Sequence, residues 1–434
     1  MKRKRIFALI PALLLSCDLL SAENSAEDVG ELLRTNRLLE AEAALLKAIQ
    51  KRESPELWNL LGALQDRRGQ PQAAAQAFRT AIRLNPAYTH AHYNLALNRL
   101  AQRDLPAAAA ELKTTLKLNP RLAPALFNLA TLEAASGDHR SALEHMRQAH
   151  ELMPAHYETS YRLAELLYQT NDRQGALALL ERQPPPAAGA PAHYYLLGLC
   201  YSSLGKAEPA IVALKKAHSL QPGNEHYAYD LGIMLVNGQH DAEAARLFEE
   251  SSRRFPASAK IQFGNALASY LTGRPEIAEQ AMRRAIELDV HPGDMWTSLG
   301  DIYMGLGRHQ QALAAYRRAE AFSPAAASLY RKTAVALDKL GDRSGARRSY
   351  TTAIQQDPAE VDALCGLAKI HAADGEFLEA VRLLERAVQA DPASAAAYYQ
   401  LALAYRRLRQ PEKSEAALAA FRKLKLHDHA SAPQ

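Results

Sequence analysis

The stretch from Gly293 to Ala326, GDMWTSLGDIYMGLGRHQQALAAYRRAEAFSPAA, carries the pattern that decides the fold. It is one of eleven consecutive units of 34 residues that run from Pro55 to Asp428 without insertion or deletion. In each unit, positions 4, 7, 8 and 11 and then positions 20, 24 and 27 form apolar faces at helical spacing. A repeat of this length predicts a helix-turn-helix unit stacked on copies of itself. The units begin at Pro55, Thr89, Ala123, Tyr157, Pro191, Glu225, Ala259, Gly293, Ala327, Val361 and Ala395.

Three positions set how closely the helices of a unit can pack. Position 8 is Gly or Ala in every unit, position 20 is Ala in all but the last, and position 24 is always large and apolar. The distance between two helix axes depends on the side chains at their contact. We therefore predict that the large residue at position 24 fills the space beside the small ones, as close packing requires.

Gly and Pro mark the turns of the unit. Position 15 is Gly in seven units, and a Gly just past a helix end readily adopts the left-handed conformation that stops the helix. Position 32 is Pro in eight units, as at Pro358, and proline lacks the N–H that a continuing helix needs. Each unit should therefore contain two helices that end at fixed positions.

This pattern resembles the tetratricopeptide repeat. The resemblance implies an all-α fold, a right-handed α-solenoid (superhelix) of about twelve helix-turn-helix repeats. It also implies that positions 2, 5, 6, 9, 12 and 13 of the first helix line a concave groove in which a protein or peptide partner binds. The unit from Gly293 matches the family pattern most fully, with Trp296, Leu299, Gly300, Tyr303, Ala312, Tyr316, Ala319 and Pro324.

The remaining residues are assigned around this register. Leu32 and Leu33 are predicted to lie on the first helix of a degenerate repeat that precedes the eleven regular units. The predicted divisions are a signal peptide at 1–22, a degenerate first repeat at 24–54, repeats 2–5 at 55–190, repeats 6–12 with a C-terminal capping helix at 191–428, and a disordered tail at 429–434.

The segment Pro184–Pro191 interrupts one unit with four prolines. It predicts a second helix that stops early, followed by a stiff loop with polyproline geometry. The alternative is a joint between two halves of the solenoid.

The first residues have the form of an export signal. A basic start is followed by an apolar run, residues 6–15, which is too short for an ordinary transmembrane helix. Leu14–Cys17 resembles a bacterial lipobox, which implies lipidation of Cys17 and a lipid anchor. The alternative is cleavage after Ala22. Either interpretation predicts an exported protein in the periplasm or on the periplasmic face of a bacterial membrane.

Residues that would carry chemistry are not arranged for it. The fifteen His residues show no metal-ligand spacing, and the glycines belong to turns rather than to a phosphate-binding loop. A net charge of +5 is small for nucleic-acid binding, and only six residues follow the last unit, which leaves no room there for a catalytic domain. The sequence therefore predicts no enzyme, no cofactor, no metal and no small-molecule substrate.

Two cysteines lie within the repeats, in units that are five apart. A disulfide between them is not expected, because stacked units would hold them too far from each other. Cys200 is predicted to be a small core residue, and Cys365 a partly exposed thiol.

Apolar side chains at positions 5, 9 and 12 are the candidate partner-binding residues. Aromatic residues combine a large contact area with few rotatable bonds, which suits peptide recognition. The alternative is that they pack between neighbouring units. A clamp for a C-terminal carboxylate is not predicted, because Tyr93, Leu97 and Glu158 stand where the family's clamp has Lys or Asn. The candidate groove residues are Tyr195, Leu199, Tyr229, Ile233, Phe263, Leu267 and Tyr270.

The sequence thus predicts a non-catalytic scaffold that binds a peptide or protein segment in its groove, in the bacterial cell envelope. The alternative is an assembly or pilot lipoprotein of an outer-membrane secretion or polysaccharide-export machine. An enzyme is a remote alternative.

Overall fold

The computed structural model describes residues 29, 31–32, 34–185, 189–289, 292–322 and 326–430. These residues form 23 helices and no strand. The helices are α1 (Leu38–Lys51), α2 (Pro55–Arg67), α3 (Pro71–Leu84), α4 (Thr89–Ala101), α5 (Leu105–Leu118), α6 (Ala123–Ser136), α7 (His139–Leu152), α8 (Tyr157–Gln169), α9 (Arg173–Arg182), α10 (Pro191–Ser203), α11 (Ala207–Leu220), α12 (Glu225–Asn237), α13 (Asp241–Arg254), α14 (Ala259–Leu271), α15 (Pro275–Leu288), α16 (Gly293–Gly305), α17 (His309–Glu320), α18 (Ala327–Lys339), α19 (Arg343–Gln356), α20 (Val361–Ala373), α21 (Phe377–Ala390), α22 (Ala395–Arg407) and α23 (Pro411–Ala430).

The helices follow the 34-residue register. In all eleven units the first helix begins at the first residue of the unit, from α2 at Pro55 to α22 at Ala395. Each first helix packs against the second helix of its own unit. The next pair of helices then begins. The predicted helix-turn-helix repeats are therefore confirmed, and the first helix of each begins at the predicted residue.

The turn between the two helices of a unit has one backbone conformation throughout. Every residue at position 15 has a positive φ, between +58° and +89°. Four of these residues are not glycine, although the left-handed region disfavours residues with a side chain. The turn geometry is thus set by the two helices that it joins. The position-15 residues are Gly69, Arg103, Gly137, Asn171, Gly205, Gln239, Gly273, Gly307, Gly341, Gly375 and Arg409.

An aspartate at position 16 caps the second helix in several units. The Asp172 carboxylate accepts a hydrogen bond from the N–H of Gly175 at 2.8 Å, and Asp342 accepts one from Gly345 at the same distance. Such a side chain satisfies one of the free N–H groups in the first turn of a helix. The cap fixes where the second helix begins.

Aromatic residues at position 24 fill the space that glycines leave. A Cβ added to Gly62 would lie 2.6 Å from the Phe78 ring, and a Cβ at Gly232 or at Gly264 would overlap the ring of Phe248. Gly232 is at position 8 of the same unit, but Gly264 is at position 6 of the next unit. The pairing of small and large residues within a unit is confirmed, and the structure adds a second glycine from the neighbouring unit.

The chain divides into two compact halves: the N-terminal half ends at Leu220, and the C-terminal half begins at Gln221. In the first, Phe78, Leu112 and Met146 are buried among the small residues of their repeats. In the second, Phe248 and Tyr316 are buried in the same way. The predicted grouping of the repeats into 55–190 and 191–428 stays a prediction.

Helix α9 contains ten residues, whereas α7 contains fourteen. It ends at Arg182, just before Pro184, so the helix is shortened as the prolines predict. Residues 186–188 lie outside the described residues.

The structure describes part of each end of the chain. Leu32 packs against a core cluster that includes Leu45, whereas Leu33 lies outside the described residues. Helix α23 continues to Ala430 and so enters the stretch that was predicted to be a disordered tail. The signal peptide, Cys17 and residues 431–434 also lie outside the described residues. Within the described residues, no helix combines the length and the hydropathy that a membrane span requires.

Candidate functional site

Five of the candidate groove residues lie in the C-terminal half. They are on the first helices of two successive repeats. Tyr229 and Ile233 belong to α12, and Phe263, Leu267 and Tyr270 belong to α14. Residues three and four positions apart on a helix share a face, so each set points in one direction. Four of the five are half-buried, and Tyr270 is 37% exposed. These apolar groups, called here the apolar stripe, therefore keep part of their surface accessible.

The rings of the apolar stripe contact other residues of the C-terminal half. The Tyr229 and Phe248 rings form an edge-type contact with centroids 6.4 Å apart, and the Lys260 ammonium lies 5.9 Å from the Tyr229 centroid. The Tyr270 hydroxyl lies where a Cβ at Gly305 would be. Burial raises the pKa of Tyr229, with a contribution from Asp230, so this side chain is a neutral phenol at physiological pH.

In the three repeats from α16 to α20, charged residues stand at several of these positions: Asp301 and Lys369 at position 9, Arg331 at position 5 and Asp338 at position 12. Asp301 pairs with Lys332 of the next first helix. Lys369 lies 3.5 Å from Asp338. In both pairs the partners belong to successive first helices. A row of paired charges thus follows the apolar stripe.

Arg331 joins the same row of paired charges. It lies 2.8 Å from the carboxylate of Glu360 and 3.7 Å from that of Asp362. The row has both signs in close contact, so it offers a hydrated, electrically balanced surface rather than a single-sign patch.

The other two candidate groove residues lie in the N-terminal half. Tyr195 and Leu199 are on α10, and both are half-buried. Next to them in sequence, His193 is 2% exposed, and its ring lies 5.9 Å from that of Tyr157. Burial lowers the pKa of His193, so its imidazole is neutral near pH 7. The seven candidate groove residues are therefore divided between the two halves of the chain.

Aromatic residues at position 5 do not all face solvent. Tyr93 and Phe127 are each only 2% exposed, and Asn128 donates a hydrogen bond to the Tyr93 hydroxyl at 3.1 Å. At these two positions the alternative of packing between neighbouring units is the correct one. Tyr399, by contrast, is 46% exposed.

Asn94 and Arg162, each at position 6 of its repeat, match part of the family's carboxylate clamp, and both are engaged inside the protein. Asn94 donates to the side-chain oxygen of Asn59 at 2.8 Å, and both residues are buried. Arg162 pairs with Glu158 at 2.8 Å and with Glu165 at 2.9 Å. The amide and guanidinium groups that could meet a terminal carboxylate thus already have partners.

Histidine and cysteine residues have structural surroundings. His145 lies 2.8 Å from a carboxylate oxygen of Glu133, and His92 lies 2.7 Å from Glu111. Within the described part of the chain, no group of three or more His, Cys, Asp or Glu side chains could hold a metal ion.

Both cysteines of the repeats are buried free thiols. Cys200 is 0% exposed, as predicted for a core residue, but Cys365 is only 7% exposed, so the prediction of a partly exposed thiol was wrong. Cys365 lies at position 5, and its small side chain packs into the cluster formed by α20, α21 and α22.

A cavity beside α14 was missed from the sequence. Its volume is about 510 Å3, and Gln262 and Asn265 form part of its wall. The signal was present, since Asn265 is one of two departures from Leu at position 7. Polar residues also stand at positions 4 and 11 of the same helix, Gln262 and Ser269.

Comparison with known proteins places these observations in a family. Family models described as tetratricopeptide repeat together match well over half of the chain. They match residues 55–88, 93–152, 133–200, 194–224, 229–289, 270–327, 331–395 and 383–416. The human tetratricopeptide repeat protein 7B is 30% identical over 129 residues. That match covers 29% of this chain and 15% of the human protein, so this chain spans a small part of its relative.

Solved structures with a similar fold have low sequence identity. Yeast Tom70 is 15% identical, with 96% of each chain covered and a TM-score of 0.43. The C-terminal part of a TPR repeat-containing protein from Cytophaga hutchinsonii is 17% identical, with 56% of this chain and 99% of that chain covered and a TM-score of 0.45. The repeats found by the family models support a role as a protein-interaction scaffold. With its register confirmed from Pro55 onward, the chain belongs to the tetratricopeptide repeat family.

Proposed function

We propose that this protein is a non-catalytic scaffold that binds an extended segment of a partner protein along its first helices. The observation that carries the proposal is the apolar stripe of the C-terminal half. Its residues occupy positions 5, 9 and 12, yet none of the five is fully buried. Exposed apolar surface that forms a continuous patch tends to mark an interaction site.

The chemistry of the stripe selects a class of partner. Aliphatic and aromatic groups such as Ile233 and Phe263 favour an apolar segment, because its burial removes apolar surface from water on both sides. The paired charges that follow, such as Asp301 with Lys332, favour a polar continuation of the same segment. Since helices hold these side chains, the scaffold orders little on binding and the partner carries most of the entropic cost.

The test places charge in the stripe. In the double variant Ile233→Glu with Leu267→Glu, two carboxylates would have to be desolvated when an apolar partner binds. The tagged wild-type and variant proteins are crosslinked in their native cells, and captured partners are quantified by mass spectrometry. We expect a partner captured by wild-type protein to be lost in the variant.

A matched control adds the same two charges elsewhere. Val212 and Leu378 are 66% and 64% exposed, and neither belongs to the stripe. The variant Val212→Glu with Leu378→Glu should capture the partner normally. If the stripe variant stays folded by circular dichroism and still captures the partner, the stripe is not the binding site. Recognition through another surface, as in an assembly lipoprotein, would then be favoured.

We further propose that the protein acts in the bacterial cell envelope and is anchored through Cys17. The support is the basic start, the apolar run and the sequence Leu14–Cys17. Mass spectrometry of the N-terminal peptide should find an acylated Cys17, and Cys17→Ser should move the protein from the membrane fraction. A mature chain that begins at Glu23 would contradict the lipid anchor and leave export in place.

A further inference from the structure

Helix α1 carries apolar residues all around its circumference. On one side, Ala41 and Leu45 are buried in a core cluster shared with the next repeat. On the other side, Leu39 is 69% exposed and Leu46 is 45% exposed. A helix that is apolar on every side is normally buried on every side. The described residues leave one side of α1 uncovered, so we expect a partner to cover it.

Four residues form this uncovered side, called here the outer face of α1. Residues three, four and seven positions apart share one side of a helix. Leu39, Ala43, Leu46 and Gln50 follow one another at this spacing, and all four are exposed. The two leucines are two helical turns apart, which is about 10 Å. The outer face is therefore a short apolar strip that ends at a polar residue.

The unpaired charges of α1 are positive. Its two carboxylates, Glu40 and Glu42, are each paired with an arginine. Lys47 and Lys51 lie along one edge of the outer face, one turn apart, and neither pairs with a carboxylate of any described residue. Apolar side chains next to free cations match the chemistry of an anionic lipid surface, which offers both acyl chains and phosphates.

The proposed lipid anchor would bring α1 close to such a surface. Residues 18–28 separate Cys17 from Val29, the first residue that the structure describes. Eleven residues reach at most about 40 Å when fully extended. Helix α1 contains 14 residues, fewer than the about 20 that span a bilayer, so it is suited to lie in the interface instead.

We propose that the outer face of α1 docks on a lipid surface that carries anionic headgroups. Leu39 and Leu46 enter the boundary between headgroups and acyl chains, and Lys47 and Lys51 contact the phosphates. The inference rests on the proposed anchor at Cys17, because the anchor holds this helix within reach of a bilayer. Docking would fix the first repeat against the membrane instead of leaving it on a free tether.

Two other occupants of the outer face fit less well. A second copy of this chain would bring the same lysines to the contact, and like charges repel each other. Two leucines also bury far less than the roughly 800 Å2 per partner of a standard interface. Residues 18–28 include Leu19 and Leu20, but acyl chains on Cys17 would hold these leucines at the bilayer.

The test measures the contact of one position with lipid. The variant Gln50→Cys places a thiol on the outer face, where a nitrobenzoxadiazole fluorophore is attached. Cys200 and Cys365 are buried, so they stay unlabelled in the folded protein. Cys17 offers no free thiol in the processed protein, because it is either acylated or removed with the signal peptide. The matched label position is Val212→Cys, on α11, where the native side chain is 66% exposed.

The processed protein is purified from its native cells and combined with vesicles of phosphatidylethanolamine and phosphatidylglycerol. These vesicles contain spin-labelled lipid, which quenches a fluorophore only at short range. We expect quenching at position 50 and none at position 212. In the variant Leu39→Glu with Leu46→Glu, quenching at position 50 should be lost, because two carboxylates would have to leave water. The melting temperature should stay unchanged, since both leucines are exposed.

Two further variants separate the apolar and the electrostatic parts of the contact. Val212→Glu with Leu378→Glu adds the same charges elsewhere and should leave quenching at position 50 unchanged. Lys47→Gln with Lys51→Gln should weaken the quenching on the anionic vesicles but not on vesicles of phosphatidylcholine, which have no net charge.

The outcomes distinguish docking from the anchor. If Cys17 is acylated and the protein floats with the vesicles, but position 50 is not quenched, docking is overturned and the anchor stands. If the chain begins at Glu23, the anchor fails, and quenching at position 50 would still support docking, whereas its absence would overturn both. A blue-shifted fluorophore that lipid does not quench would show that residues 18–28 or a second copy covers the outer face, which also overturns docking.

Discussion

The ring of Tyr316 occupies the space that a side chain at Gly300 would need. A Cβ at Gly300 would overlap this ring, which is 1% exposed. The two residues stand at positions 8 and 24 of one repeat. The same relationship holds between Gly62 and Phe78, which shows that the close approach of the two helices depends on the missing side chain.

Gly300→Ala should destabilise the protein. Alanine is the better helix former, but its methyl group must displace the buried Tyr316 ring, and overpacking of this kind costs about 1–3 kcal/mol. The free energy of unfolding from urea titration measures the change. The second variant Gly300→Ala with Tyr316→Leu should recover part of the loss, since Ala96 and Leu112 form that pair in another repeat. A stability equal to wild type in the single variant would show that the ring can move freely.

Gln239→Gly should stabilise the protein by about 1 kcal/mol, because glycine removes the strain of a left-handed backbone at a residue with a side chain. Gln239 has a φ of +62° at position 15. The matched control is Gly307→Gln, which places the same side chain at the equivalent position with φ +70° and should destabilise by a similar amount. Thermal unfolding monitored by circular dichroism compares the two. Shifts of the same sign would contradict a shared turn conformation.

Glu279→Gln should weaken the fold only where Glu279 is ionised. Burial opposes ionisation of Glu279, but hydrogen bonds from Tyr303 and Arg283 and the charge of Arg308 outweigh it and lower its pKa. A lowered native pKa stabilises the protein above the unfolded pKa of about 4.3, and this contribution is lost as the pH falls through the native value. The difference in melting temperature between wild type and variant should therefore be greatest near neutral pH and shrink in acid. A constant difference at all pH values would show that ionisation of Glu279 is not its cause.

Cys200 and Cys365 should resist alkylation in the native protein. Burial raises the pKa of each thiol to about 11, so about one in a thousand is ionised at pH 8. Iodoacetamide in the variant Cys17→Ser should modify both cysteines slowly, and denaturant should accelerate the reaction at both sites. Rapid modification of Cys365 in folded protein would restore the interpretation of an exposed thiol.

Most of the fold could be predicted from the sequence because its signals are local. The apolar residues three and four positions apart, and the Gly and Pro that end the helices, act within one unit. All eleven first helices accordingly begin where the register places them, as at Gly293. Failures arose where a neighbouring repeat decides the environment: Cys365, predicted to be partly exposed, is covered by its neighbours, whereas position 5 is buried at Tyr93 and exposed at Tyr399.

The candidate site was less predictable. The apolar residues at positions 9 and 12 were identified from the sequence, but their partial burial depends on packing against the next helix, as Tyr270 packs against Gly305. The pairing of Asp301 with Lys332 also joins two repeats and follows from no single-unit pattern. The cavity beside Asn265 required the relative positions of three helices.

By itself the sequence determined the period, the helices, their turns and the small-to-large pairing at positions 8 and 24, since each depends on contacts inside one 34-residue unit. The tertiary structure alone decided which inner residues stay accessible, which charges are paired, and where an unfilled polar cavity remains. These properties depend on how the side chains of one repeat meet those of the next, and a unit considered alone does not contain that information.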